Sequence, residues 1–360
     1  MADDIDATTE DSRKKKQERD AAGNKAVQDF IRAAAGACET LLGLTVTDVE
    51  LPGGQRKSLR VRCGKQSVIV TRRPNLKRAR LEVSVLYALG SHGGAVPKVL
   101  AFDGIWLIQE DLGERRLSRA IAAADAATAE TWIDAGVSSI AANQNAATAC
   151  GYERNVITLG TDPQWLSTVI TMPDRVGQML GVAPPALPEE ALAQMLRVRR
   201  PYFVKWDARP GNAMTRENGT VVWFDWEHSG CRNRFDDLVW FLADEYMPDR
   251  AAIEKKVLAR HMESFAQGME SKDEAAEYFY TFGTLHSCVR LSLILASKEA
   301  GPWWDPEKVL ASDKVGVTRA ASLACLGRAS RWAAQAPLVA PLLPWLEQLP
   351  ERLPPDNRRA

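Results

Sequence analysis

The sequence predicts an α+β protein of two unequal lobes, a small antiparallel β-sheet lobe followed by a larger, mainly helical one. Three observations carry this. The 360 residues correspond to roughly two domains at the usual ~150 residues each. Short strand-like runs cluster between Leu44 and Gly113. From Arg115 the texture turns to Ala-rich helical stretches broken by only two further strand-like runs. The expected boundaries are a charged, disordered tail over 1–27, the β-rich lobe over 28–112, the helical lobe over 113–336 and a Pro-rich tail over 337–360.

Taken in order, TVTDVEL, SLRVRC and SVIVT read as three strands, separated by the Pro52-Gly53-Gly54 break and the Gly64-Lys65 turn. LKRARLEVSVLYALG follows, and its apolar residues Leu76, Leu81, Val83, Val85, Leu86 and Leu89 fit a helix with one buried face. VPKVLAFDG and IWLIQE then read as two strands around a tight Asp103-Gly104 turn, giving the order β-β-β-α-β-β. In the second lobe the strand-like runs are RPYFVKW and TVVWFDW, the latter after the Asn218-Gly219 turn. Helical patterns resume from Phe235 to Ala336, and the prolines from Pro337 to Pro355 predict an extended or short-turn ending. Ligand sites favour the cleft of such a layout.

Composition limits the function classes. With 46 Lys+Arg against 46 Asp+Glu the net charge is zero, so no global field draws in nucleic acid or anionic membrane, and anion binding has to come from a local cluster. The six cysteines are widely spaced, without CxxC pairs or zinc-ligand spacing, which suits buried, reduced thiols and a cytoplasmic location. The N-terminus has no apolar h-region, and the charge-free stretch from Ala135 to Tyr152 holds too many Ser, Asn, Gln and Thr residues for a membrane span. No Ser-His-Asp order or G-x-S-x-G elbow appears, which disfavours a serine hydrolase.

The segment KWDARPGNAMTRENGTVVWFDWEHSG, from Lys205 to Gly230, carries the chemistry. Asp207 stands five residues before Asn212 in a Pro-Gly loop, and Asp225 thirteen residues after Asn212 at the end of a hydrophobic strand. Such a loop can aim one carboxylate at a substrate hydroxyl while an amide oxygen and a second carboxylate hold Mg²⁺ on a nucleotide's phosphates. Together with Asp225-Trp226-Glu227 and Asp236-Asp237-Leu238, this segment resembles the aminoglycoside phosphotransferase and choline kinase group, small-molecule kinases of the protein-kinase-like fold. The resemblance covers about Leu44 to Leu242.

The resemblance implies an ATP- and Mg²⁺-dependent phosphotransferase acting on the hydroxyl of a small molecule such as a sugar, an amino alcohol or an aminoglycoside-like compound. By the same resemblance the 28–112 lobe binds the nucleotide. Asp207 orients or deprotonates the acceptor, Asn212 and Asp225 bind Mg²⁺, and Asp237 braces the loop, an N-cap role accounting for Asp237 equally well. Arg209 meets the transferred phosphoryl group, or is a solvated loop arginine. The third strand lacks the usual lysine, so Arg72 substitutes for it with Glu82 as its ion-pair partner, and the backbone of Glu110 and Leu112 meets adenine. Pro52-Gly53-Gly54-Gln55 is either a phosphate-covering loop or a plain hairpin turn. Nucleic acid and membrane are not expected partners, and the oligomeric state is left open.

Lys205 and Trp206 replace a customary His and Gly. Lys205 needs an acid nearby, a path to solvent or a phosphate to point at. Core packing is the default for Trp206, Trp223, Trp226 and Trp240, with an aromatic wall for a sugar or quaternary amine as the sharper alternative. Asp244 and Glu245 read as exposed helix charges by default, with binding of a cationic acceptor as the alternative, and His228 as a structural histidine, with an approach to the site as its alternative. The rival function, prompted by the missing lysine and the altered loop, is a nucleotide-binding pseudokinase-type regulator with little transfer activity.

Overall fold

A computed structural model describes residues 24–51, 58–312 and 314–356 of the chain. Residues 1–23 and the Pro52-Gly53-Gly54-Gln55 segment lie outside them. The chain divides into two compact units, one comprising residues 1–80 and 99–111, the other residues 81–98 and 112–360.

In the smaller unit, helix α1 spans residues 24–42, so helix begins where the sequence suggested a tail. Phe30 and Ile31 explain this, because they pack on the sheet, with Phe30 stacked 5.8 Å from Trp106. The sheet contains β1 (Asp48–Glu50), β2 (Ser58–Cys63), β3 (Gln66–Arg72), β4 (Val99–Phe102) and β5 (Trp106–Glu110) in the order β1-β2-β3-β5-β4, all antiparallel. Helix α2 (Leu76–Gly90) falls between β3 and β4 in sequence, so the expected β-β-β-α-β-β order is observed. Cys63 pairs with Gln66 across a two-residue turn in which Gly64 takes φ +62°, a conformation that costs glycine nothing. Leu59, Val61, Val68, Val70 and Ile108 form the core, each side chain contributing about 1.5–3 kcal/mol of burial. Beside that core Arg60 is held by Asp111 through Nε (2.7 Å) and Nη2 (3.2 Å), and Ser67 donates to the same carboxylate at 2.5 Å. That pairing anchors the last residue of the unit.

The larger unit takes in the C-terminal part of α2 and is mainly helical. Its helices are α3 (Leu117–Ala122), α4 (Ala126–Ala149), α5 (Pro163–Ile170), α6 (Met172–Leu180), α7 (Glu189–Leu196), α8 (Phe235–Leu242), α9 (Ala251–Phe265), α10 (Lys272–Lys298), α11 (Pro306–Ser312), α12 (Arg319–Ala333) and α13 (Leu343–Arg352). Helices α4, α10 and α12 begin at side-chain caps, Asp125, Ser271 and Thr318 respectively. Two strand pairs serve the site, β6 (Tyr202–Val204) with β9 (Gly230–Arg232), and β7 (Ala213–Thr215) with β8 (Val221–Trp223).

The proline-rich ending is a correction. Pro344 falls in the first turn of α13, where a missing N–H forfeits no intrahelical bond, and Trp345, Leu346 and Leu349 are buried. The Trp345 indole also donates to the Val182 carbonyl at 2.8 Å. Burial of this apolar face outweighs the composition that suggested an extended tail. Among the described residues no helix is long and apolar enough to cross a membrane.

Candidate active site

The loop from Lys205 to Asn212 joins β6 to β7, and the pairing of Ala213 with Trp223 brings it alongside the segment that follows β8. The Phe224 amide donates to the Asn212 carbonyl at 3.0 Å, fixing Asn212 next to the residue that precedes Asp225. Trp206, Asp207 and Asp225 take φ +52°, +80° and +61°. Each such non-glycine residue costs about 1–2 kcal/mol, so surrounding contacts have to impose the conformation.

Those contacts are present. Asp237, in the first turn of α8 and buried, accepts the amides of Lys205 (2.8 Å) and Trp206 (2.9 Å) and the Gln144 side chain (3.0 Å). Its carboxylate thus serves the loop rather than capping its own helix. Burial pushes this carboxyl up to about 6, against the pull of those N–H donors. At the other end Arg116 donates to the Gly211 carbonyl at 2.6 Å and lies over the Phe224 ring.

Within this frame Asn212 Nδ2 donates to Asp207 Oδ2 (2.8 Å) and to the Asp207 carbonyl (3.1 Å). The amide oxygen is therefore the atom of Asn212 suited to a hard cation. Burial raises the Asp207 carboxyl, Lys205 and Arg209 oppose the rise and Asp225 adds to it, with the balance above the ordinary carboxylate value. Among the described residues no group of three or more His, Cys, Asp or Glu could hold a metal, so a cation here would rely on few protein ligands.

Arg209 does not end in solvent. Its Nε donates to Asp244 (2.7 Å) and its Nη2 to Glu245 (3.2 Å), while Arg290 binds Glu245 through Nε and Nη2, each at 2.7 Å. Asp244 and Glu245 are buried, correcting the expectation of exposed helix charge. Burial pushes Glu245 up, but Arg290 and Arg209 outweigh it and hold the carboxyl at about 2. Asp244 ends above its ordinary value, because burial dominates and the neighbouring Glu245 charge adds to it. His286 is buried beside this cluster and is driven down to about 3 by burial and by Arg290.

Lys205 is 2% exposed, and its Nζ donates to the carbonyls of Asp225 (2.7 Å) and Asp207 (3.3 Å). It neither ends on a carboxylate nor extends to solvent. The tryptophans divide. Trp223 and Trp226 are core, whereas Trp165, Trp206 and Trp240 are partly exposed and form a ribbon with ring centroids 5.6 Å apart at each step. His228 sits 3.8 Å from the Glu227 carboxylate.

Of the expected nucleotide residues, Arg72 is exposed at the end of β3, in the smaller unit. Glu82 belongs to the larger unit, is buried and accepts the Trp226 amide at 3.3 Å. Glu110 pairs with Val68 in the sheet, and Leu112 opens the larger unit. Arg116, Gln144 and Arg290 were not singled out from the sequence. Only their distance in the chain from the loop concealed them, since they bond to residues 95, 93 and 45 positions away.

The profile of the phosphotransferase enzyme family matches residues 49–273. No curated protein sequence matches the chain. Among solved structures, the chain is similar to the macrolide 2'-phosphotransferase MphH from Brachybacterium faecium at 18% identity, covering 81% of this chain and 97% of that one, with a TM-score of 0.50. A GDP complex of an aminoglycoside 2'-phosphotransferase IIIa variant is similar at 13% identity, covering 83% and 97%, with a TM-score of 0.53. The antiparallel sheet and the mainly helical unit agree with this match, and the chain belongs to the phosphotransferase enzyme family.

Proposed function

We propose that the protein transfers the γ-phosphoryl group of ATP, in the presence of Mg²⁺, to a hydroxyl of a sugar, an amino alcohol or an aminoglycoside-like molecule. The observation that carries this reading is the 2.8 Å hydrogen bond from Asn212 to Asp207. It orients one carboxylate for the acceptor and leaves the amide oxygen of Asn212, with the Asp225 carboxylate, as the hard donor set that Mg²⁺ prefers. When bound, the metal neutralises phosphate charge. Asp207 accepts the acceptor's proton, and its raised carboxyl affinity suits a general base. Arg209, two residues from Asp207 and held by Asp244 and Glu245, acts through its field on charge developing on the transferred phosphoryl group. Arg72, Glu82 and the backbone of Glu110 and Leu112 are the proposed nucleotide contacts.

The partly exposed Trp165–Trp206–Trp240 ribbon supports an acceptor with a ring or an apolar face. The test is ADP release across a panel of sugars, amino alcohols and aminoglycosides, with Mg²⁺-dependent ATP binding measured in parallel. Acceptor-dependent release above the Asp207→Ala background supports transfer. Binding without release favours the regulator reading, which the exposed arginine in place of a strand lysine motivates. Absence of both refutes the nucleotide readings.

A further inference from the structure

Lys205 reaches two backbone carbonyls that lie far apart in sequence, those of Asp225 (2.7 Å) and Asp207 (3.3 Å). Both residues have left-handed backbones, at φ +61° and φ +80°, where a non-glycine chain does not hold itself. The direction of a carbonyl sets ψ of its residue, and ψ sets how the following peptide leaves the carboxylate-bearing Cα. Pinning both carbonyls on one ammonium therefore fixes the two carboxylates relative to each other.

The Asp207 carbonyl also accepts Asn212 Nδ2 at 3.1 Å, so what Lys205 adds is the link from that carbonyl to the Asp225 carbonyl. Lys205 lines a small void with Asn143, Gln144, Phe203, Trp223, Trp226 and Asp237, and that void has no volume open to a water molecule. The Lys205 amide is itself held by Asp237, and its ammonium lies 5.4 Å from the centre of the Trp226 ring. Asp207, Asp225, Asp237 and Glu82 all act on it electrostatically.

We propose that Lys205 is a positioning residue that couples the Asp207 loop to the Asp225 segment, so that acceptor alignment and metal binding are set together. This rests on the roles given to Asp207 and Asp225 in the proposed function. Lys205 touches neither substrate nor metal; its effect passes through the two backbones.

The test compares wild type with Lys205→Met, which keeps the stem and removes the donors, and Lys205→Arg, which keeps charge and donors. ATP binding is followed across a Mg²⁺ titration, and amide hydrogen exchange is followed over residues 205–212 and 223–230. Lys205→Met is expected to raise the Mg²⁺ midpoint about 10- to 100-fold, as removal of a group supporting a ligand does. Exchange should rise in both segments together, metal-free ATP affinity should stay within about twofold, and Lys205→Arg should recover part of the midpoint. If Lys205→Met does not fold, Lys205→Gln takes its place.

A uniform loss of thermal stability with an unchanged Mg²⁺ midpoint would mean simple structural support and overturns the proposal. Faster exchange confined to one segment also overturns it. Wild-type protein that shows coupled protection but no Mg²⁺-dependent ATP binding refutes the proposed function, and with it the metal half of this proposal, while the backbone coupling stands.

Discussion

Replacing Glu245 with Gln tests whether the buried ion cluster beside the loop stabilises the larger unit. Glu245 accepts two bonds from Arg290, one from Arg209 and one from the Gly316 amide at 3.1 Å, all away from solvent. The glutamine is nearly isosteric but leaves two guanidinium groups short of negative charge. Removing one partner of a buried ion pair costs about 3–5 kcal/mol, and Asp244, 2.7 Å from Arg209 and 3.9 Å from Arg290, retains part of the compensation. The lower end, about 3 kcal/mol, is expected. The downward displacement of the carboxyl, to about 2 under the charges of Arg290 and Arg209, has the same sign.

With ~2.1 cal/mol/K per residue over 360 residues, that loss corresponds to about 4 °C in Tm. Thermal scans and urea titrations followed by tryptophan fluorescence at pH 7 read it directly. The folded carboxyl is depressed, so its stabilisation is fully present above pH 4.5 and is lost as pH falls toward 2. The gap between wild type and Glu245→Gln should therefore close over that window. A Tm within about 1 °C of wild type at pH 7, or a gap that widens below pH 4.5, refutes the reasoning.

Trp206→Gly removes a left-handed non-glycine residue, recovering about 1 kcal/mol, but deletes a ring packed against Trp165, Trp240 and the Arg232 guanidinium. Because the ring is only partly buried, a net loss of about 1–2 kcal/mol is expected in urea unfolding, and a more stable variant would show that the ring contributes nothing. The transfer rate should rise with pH through a value above 3.8, because burial lifts the Asp207 carboxyl and only its ionised form accepts a proton. A rate already at its plateau at pH 4 contradicts this.

Much of the smaller unit was legible because its signals are local. Strand alternation, the Gly64 and Asp103-Gly104 turns and the periodicity of α2 each act within a few residues. The Asp207, Asn212 and Asp225 spacing was equally plain, since one loop and one hairpin bring the three together. What was not legible depends on long-range pairing. Asp244 and Glu245 read as surface charge because Arg290, which buries them, lies 45 residues further on. Lys205 read as needing an acid, solvent or a phosphate because its partners are backbone carbonyls, which no sequence pattern marks. The α13 helix was hidden by prolines whose cost depends on their place in the turn.

In the proposed function Asp207 handles the acceptor, while other residues hold the metal and the nucleotide. The most direct test of this division is acceptor-dependent ADP release by Asp207→Ala, with ATP affinity in Mg²⁺ measured on the same preparation. A fall in rate of about 10²- to 10⁴-fold is expected, with ATP affinity within about threefold of wild type. A variant that transfers phosphate at the wild-type rate, or one that loses ATP binding along with transfer, would contradict it.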